Sequence, residues 1–286
     1  MSPLRQQMID ALRVRGYSPR TRDSYLYAVS KLAAYYHRSP DKLTVEEVAA
    51  YLQHLACERE LSASSCRQYL HAARFFYLHV LGRADFDVPI PVPKNPHRIP
   101  QLLTRAEVAR ILSACTNPKH QMMLEVCYGC GLRVSELCAL RVSDIDGERE
   151  LLRVTQGKGA KDRAVVLSPT LLEHLRTYWR RERPKEWLFP SGVIPGRAVA
   201  PTTPQKVFVR AKREAGVRKL GGIHGLRHAY ATHMLERGVP VHQLQHLLGH
   251  SSLQSTLRYL HWLPNQPRGG VASASDLLAG LEVGRG

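Results

Sequence analysis

Acidic residues are scarce in this chain. Its 286 residues hold 24 Asp and Glu against 41 Lys and Arg, a formal net charge of +17. That excess favours a polyanionic partner, most simply nucleic acid; an anionic membrane surface or plain solubility are the weaker readings. The shortage is uneven. Residues 1–88 carry 12 basic against 9 acidic side chains, and residues 89–286 carry 29 against 15, so most of the attraction resides in the second part. Long apolar runs are missing too: none approaches the roughly 20 residues a membrane-crossing helix requires. No secretory leader precedes the cysteines, and a cytoplasmic, reducing location is expected. Metal patterns are equally thin. Six cysteines include the pair Cys127-x-x-Cys130, with Cys138 eight residues on and no second pair to complete four zinc ligands. They read as small buried thiols. There is no HExxH and no carboxylate cluster suited to magnesium. No internal repeat is visible.

What is present is mostly helical periodicity. Ser18-Pro19 has the form of an N-cap followed by proline at the first helical position. From about Thr21 to Tyr36, apolar residues recur at Tyr25, Leu26, Val29, Leu32, Ala33 and Tyr36, the period of an amphipathic helix. Thr44-Val-Glu-Glu47 is a capping box leading into Val48, Tyr51, Leu52 and Leu55. Another helix is expected from Ser62 through Val80. These predict an all-α unit of about four helices over residues 1–87. The run VPIPVPKNPHRIP then holds five prolines, too many to continue a helix, and predicts a stiff linker over residues 88–103. A second domain, residues 104–263, opens on another capping box, Thr104-Arg-Ala-Glu107.

Within that domain helices are expected near 104–115, 120–128, 134–140, 169–181, 204–215, 224–237, 241–248 and 252–260. Leu151–Val154 and Ala164–Leu167 read as strands joined by TQGKGAKDR, a hairpin with a mobile tip. Residues 264–286 form a polar, glycine-rich tail with a short amphipathic segment, Asp276–Leu281. The fold class is therefore mainly α, with a small β-sheet in the C-terminal domain.

The segment IHGLRHAYATHML poses the chemical question. His224, Arg227 and His228 share one helical face, at a helix start where unsatisfied N–H groups favour an anion. Taken alone, this stretch is read equally well as an arginine paired with a carboxylate beside satisfied core histidines. Three further clusters change the balance: Arg133 entering a helix after the Gly129-Cys-Gly131 turn, Lys158 at the hairpin tip, and His250 in the turn of LLGHS followed nine residues later by Tyr259.

On the motifs GLRVSEL, GKGAKDR, HGLRHAYATHML and LLGHSSLQSTLRYLH, in that order and spacing, the chain resembles the tyrosine recombinase (phage integrase) family, and within it the Xer-like and integron-integrase-like members. The resemblance implies a two-domain, C-shaped clamp: an N-terminal SAM-like core-binding bundle and a catalytic domain. It implies a site-specific recombinase that cleaves and rejoins double-stranded DNA through a 3′-phosphotyrosine, without metal, ATP or other cofactor. Its partners would be recombination sites and three further copies in a synaptic tetramer, for integration, excision or resolution of a mobile element or other DNA in a bacterial nucleoid. The residues carried over are Arg133, Lys158, His224, Arg227, His250 and the nucleophile Tyr259. Cleavage without metal needs such a set. Guanidinium forks match the non-bridging oxygens and stay charged. A lysine near cations can protonate the leaving 5′-oxygen. A phenol of reference pKa about 10 needs a proton acceptor, expected in His224, with His250 donating to the phosphate. Glu136 is expected to position Arg133, and His228 to pack beside the site rather than in it. The competing readings are a type IB topoisomerase, a DNA-binding protein without catalysis, and a metal enzyme using His242, His246 and His250 at four-residue spacing.

Overall fold

A computed structural model describes residues 2–86, 101–155, 162–260, 262 and 277. The chain separates into two compact units, Met1–Arg98 and Ile99–Gly286. The proline-rich segment between 88 and 100, with Lys94, His97 and Arg98, lies outside the described residues.

The first unit is a helical bundle of α1 (Pro3–Val14), α2 (Pro19–Tyr36), α3 (Val45–Cys57) and α4 (Ala63–Arg74). Local chemistry sets each start. Ser2, Ser18 and Ser62 accept a backbone N–H at the third following residue, and Thr44 and Glu47 form the reciprocal capping box. α4 continues directly into a π-helical stretch, Phe75–Val80. The wider turn there lets Phe75, Phe76 and Tyr77 all point inward. Tyr77 stacks on Phe86 with centroids 3.6 Å apart, and its hydroxyl donates to the Pro40 carbonyl at 2.6 Å. Arg83 covers Phe86 and donates to the Leu43 carbonyl at 2.9 Å. Met8, Leu12, Leu32, Val48 and Phe76 make the centre.

The second unit contains α5 (Arg105–Ser113), α6 (Pro118–Gly129), α7 (Val134–Cys138), a sheet, α8 (Pro169–Glu182), α9 (Thr202–Glu214), α10 (His224–Glu236), α11 (Val241–Leu248) and α12 (Gln254–Leu260). The sheet is antiparallel in the order β1 (Ile145–Asp146), β2 (Leu151–Val154), β3 (Arg163–Val166), with Ile145 opposite Leu152 and Val154 opposite Arg163. Leu152, Val154 and Val165 face the core. α6 and α10 are buried on nearly every side and form its axis. Their polar side chains are therefore paired: His233 Nδ1 lies 2.9 Å from the Tyr128 hydroxyl, and His174 Nδ1 lies 2.6 Å from the buried Glu125 carboxylate. So one of the three histidines of IHGLRHAYATHML, His233, is a satisfied core residue.

Cys66, Cys115, Cys127, Cys130 and Cys138 are buried free thiols, whereas Cys57, expected to be buried, is exposed at the end of α3; burial pushes Cys127 up to about 12. Leu277 is buried against the same core, and its carbonyl accepts from Arg105 at 3.3 Å. The rest of the tail segment Asp276–Leu281 lies outside the described residues. No helix among the described residues is long and apolar enough to cross a membrane.

Candidate active site

The site is built where α7, β3, α10, α11 and α12 meet. α6 ends in a turn whose Gly131 has φ +58°, and a Cβ there would overlap the Tyr230 ring of α10. Only glycine meets both demands. The turn delivers Arg133 to the start of α7 and aims the Gly131 carbonyl at α10, where Arg227 Nη1 donates to it at 2.6 Å. Arg227 is 1 % exposed. Its Nη2 donates to the Leu248 carbonyl at 2.6 Å, and Nη1 lies 3.8 Å from Glu136. Burial and repulsion from Arg133 lower its pKa to about 10, so it stays a cation at neutral pH.

Glu136 is the counter-charge. Its carboxylate accepts from the Arg133 backbone N–H at 2.9 Å and from Arg133 Nη1 at 2.6 Å. It also accepts from Arg163 Nη1 and Nη2 at 2.9 and 2.8 Å. Burial alone would raise its pKa. The hydrogen bonds from Arg163 and from the Arg133 backbone outweigh that and hold it down at about 2. Three guanidinium groups thus surround a single carboxylate. That excess of positive charge suits an arriving phosphate. Glu136 was expected at Arg133 alone, and Arg163 was missed. One signal could have found Arg163: it shares a strand face with Val165 and Leu167, both 0 % exposed, and a charge on the inward face of a strand requires a buried partner.

Tyr259, on α12, is 4 % exposed. Its hydroxyl lies 3.1 Å from His228 Nδ1, and its ring lies parallel to His250 with centroids 6.2 Å apart. Trp262 sits edge-on to Tyr259 and to His228, at 5.2 and 5.5 Å. Burial raises the phenol's pKa, against the pull of Arg227, Arg258 and Arg133. His250 pairs through Nδ1 with the Thr256 hydroxyl at 2.8 Å. Burial, followed by neighbouring charges, lowers His228 and His250 to about 4. Both are neutral near pH 7.

One expectation is corrected, and one competing reading loses its geometry. His228, expected beside the site, is the histidine on the Tyr259 hydroxyl. His224 opens α10 and is exposed, while His228 lies one turn deeper, facing α12. Their rings meet edge-on at 4.4 Å. And the four-residue spacing of His242, His246 and His250 does not build one face, because α11 ends at Leu248 and Gly249 turns His250 away toward Thr256. Among the described residues, no three potential metal ligands converge. Lys158 falls between β2 and β3, outside the described residues. Arg133, Arg227, His250 and Tyr259 are brought together, with His224 at the rim.

The lowered pKa values make the fold acid-sensitive. His228, His250 and the core residue His233 all sit at about 4, against 6.5 as free side chains. The unfolded chain binds protons between those values that the folded chain refuses. Stability therefore falls as pH drops from about 6.5 to 4, by up to about 1.4 kcal/mol per pH unit for each histidine. Glu136 adds a second loss from 4.5 down to about 2. Thermal unfolding of the second unit followed from pH 7.5 to 4 is expected to show this fall. A flat Tm across that range would contradict it.

Known proteins match on both units. Residues 101–266 match the model of the Phage integrase family, and residues 4–84 match the Phage integrase, N-terminal SAM-like domain. The Sinorhizobium fredii protein y4qK is 42 % identical over 267 residues, 93 % of this chain and 86 % of that one. An Escherichia coli integrase/recombinase is 34 % identical, covering 98 % of this chain and 97 % of its own; the 331 aligned positions exceed the 286 residues here, so that relative carries segments this chain lacks. Tyrosine recombinase XerA of Thermococcus onnurineus is 36 % identical, over 87 % and 86 % of the two chains. Among solved structures, a lambda integrase dimer bound to a COC′ core site shares the fold with a TM-score of 0.72 at 21 % identity, over 88 % of this chain and 95 % of that one.

Proposed function

Because this chain belongs to the phage integrase family, the tyrosine recombinases, we propose that it cuts and rejoins specific sites in double-stranded DNA through a phosphotyrosine bond to Tyr259. The observation that carries the reading is the position of the Tyr259 hydroxyl: on a neutral His228, next to the ring of His250, with the buried Arg227 and its companion Arg133 alongside. The tyrosine oxygen attacks phosphorus and the bond to the 5′-oxygen breaks, leaving a 3′-phosphotyrosyl end. Arg133 and Arg227 stabilise charge on the non-bridging oxygens, His250 adds a donor, and Lys158 supplies the proton to the 5′-oxygen. The phosphodiester energy is retained in the new ester, so rejoining needs no nucleotide hydrolysis. His228 Nδ1 is the first acceptor of the tyrosine proton, with His224 acting from the rim.

The charge of +17 supports phosphate contacts along the duplex from both units, with affinity falling steeply as salt rises. Recombination of two duplexes requires four copies of this chain, assembled on DNA in the cytoplasm. A mobile element is the favoured cargo, since the relatives include proteins named integrase/recombinase.

Denaturing the complexes formed on cellular DNA and sequencing what stays attached to the protein tests the reading and reveals the site. DNA bound without any covalent attachment would instead favour a DNA-binding protein without catalysis. The proton route has its own test. Replacing His228 by alanine is expected to slow adduct formation by about 10²-fold or more at pH 7, with the defect shrinking toward pH 9 as hydroxide takes over. His224→Ala is expected to cost less. The reverse ranking would return the acceptor role to His224.

A further inference from the structure

The last carbonyls of α11 and its cap each accept one guanidinium. Leu247 O accepts from Arg163 Nε at 2.9 Å, Leu248 O from Arg227 Nη2 at 2.6 Å, and Gly249 O from Arg133 Nη2 at 3.3 Å. A helix C-terminus presents carbonyls without intrahelical partners and the negative end of the dipole. Here that end, together with Glu136, holds three like charges close together. Two of the three have a part in the proposed chemistry. Arg163 has none. Its Nε is on Leu247 and its two Nη atoms are on the two Glu136 oxygens, so all three nitrogens address protein, and the side chain is 9 % exposed. The turn is shaped around it: Gly249 has φ +62°, and a Cβ there would stand 2.9 Å from Arg163 Cδ and Nη1. Arg163 also opens β3, immediately after the segment whose sequence carries Lys158.

We propose that Arg163 is a positioning residue for DNA cleavage, which rests on the reading of Tyr259 and its neighbours given above. It clamps the carboxylate that orients Arg133 to the α11 turn that presents His250, and it anchors the start of β3 to both. Because its nitrogens are committed to protein oxygens, its loss should leave duplex binding intact and misplace the reacting groups. It should also release the carboxylate. Glu136 is faced by Arg133, Arg163 and Arg227, and by the Cys127 thiol of α6; without Arg163 it would take a proton at higher pH.

The test uses the full chain as wild type, Arg163→Lys and Arg163→Met, on DNA carrying the trapped site. Three readouts are taken: the single-turnover rate of adduct formation at saturating DNA, the DNA Kd, and the rate profile from pH 4.5 to 9. If wild type forms no adduct, the underlying reading fails, separately from this proposal. Given an adduct, Arg163→Met is expected to slow the step by about 10²-fold, the scale of a displacement of about 1 Å in a reacting group. Kd should stay within about threefold, because the phosphate contacts that dominate affinity are untouched. The acid limb should move up by at least one pH unit. Arg163→Lys, which keeps the charge but cannot bridge Glu136 and Leu247 together, is expected to fold and to recover part of the rate. A folded Arg163→Lys or Arg163→Met with wild-type rate and pH profile would overturn the proposal. So would a loss of binding as large as the loss of rate.

Discussion

Tyr259→Phe is expected to eliminate covalent DNA capture while leaving the protein folded and bound to DNA. The substitution removes one oxygen. The ring remains, and with it the packing on His250 and Trp262. The lost hydrogen bond to His228 Nδ1 should cost only about 0.5–1.5 kcal/mol of stability. The chemical consequence is of another order, because no other nucleophile can take over. The unit has three other tyrosines: Tyr128 is buried against His233, the Tyr178 hydroxyl donates to the Leu188 carbonyl at 3.0 Å, and Tyr230 lies behind the Gly131 turn. None of the three belongs to α12, where the contacts to His228 and His250 are made. Tyr128→Phe is therefore the control: it should keep adduct formation. The measurement is a denaturing gel of protein mixed with labelled suicide duplex, beside a gel-shift titration at several salt concentrations. Loss of the adduct with an unchanged salt slope is the expected result. An adduct that persists in Tyr259→Phe would remove the nucleophile from α12 altogether.

Much of this fold could be read locally, and the parts that could not have a common cause. The caps at Ser18, Thr44, Ser62 and Thr104 are hydrogen bonds within three residues, so their signal is complete in a short window. The hairpin is marked by two short β-type runs with turn formers between them. α6 begins at Pro118, two residues before the expected start, although Asn117-Pro118 is itself a cap-and-proline signal. β1 is two residues long and exists only through its pairing with β2, so no window around Ile145 contains its cause. The π-helical stretch at Phe75–Val80 departs from the 3.6 period because three adjacent aromatics all go inward.

In the site the same division holds. Arg133, Arg227, His250 and Tyr259 belong to motifs that can be recognised in order. The exchange of places between His224 and His228 depends on where α12 lies. The role of Arg163 depends on a carboxylate 27 residues away and a carbonyl 84 residues away. Contacts of that range are written in side-chain chemistry but not in any local pattern.

Glu136→Gln should have the second-largest effect, and of a different kind. The carboxylate is 4 % exposed and binds Arg133 and Arg163 directly, with Arg227 at 3.8 Å. Glutamine has nearly the same shape but only one acceptor oxygen, and its amide would place N–H against guanidinium N–H. Three buried or half-buried cations would then stand without a counter-charge. Removing one partner from such a group costs about 3–5 kcal/mol, a loss that should appear as a lower midpoint in urea with the slope unchanged. Adduct formation should fall with it, since Arg133 loses the contact that aims it. The sign of one further effect separates this electrostatic account from simple loss of packing. With the internal anion gone, the cluster becomes a better site for an external one. Added sulfate or phosphate at constant ionic strength should therefore raise the Tm of Glu136→Gln more than that of wild type, by preferential binding to the folded state. Double-stranded DNA should do the same. If both proteins respond equally to the added anion, Glu136 holds shape rather than charge, and the view of this pocket as three cations balanced against one carboxylate and the incoming phosphate does not stand.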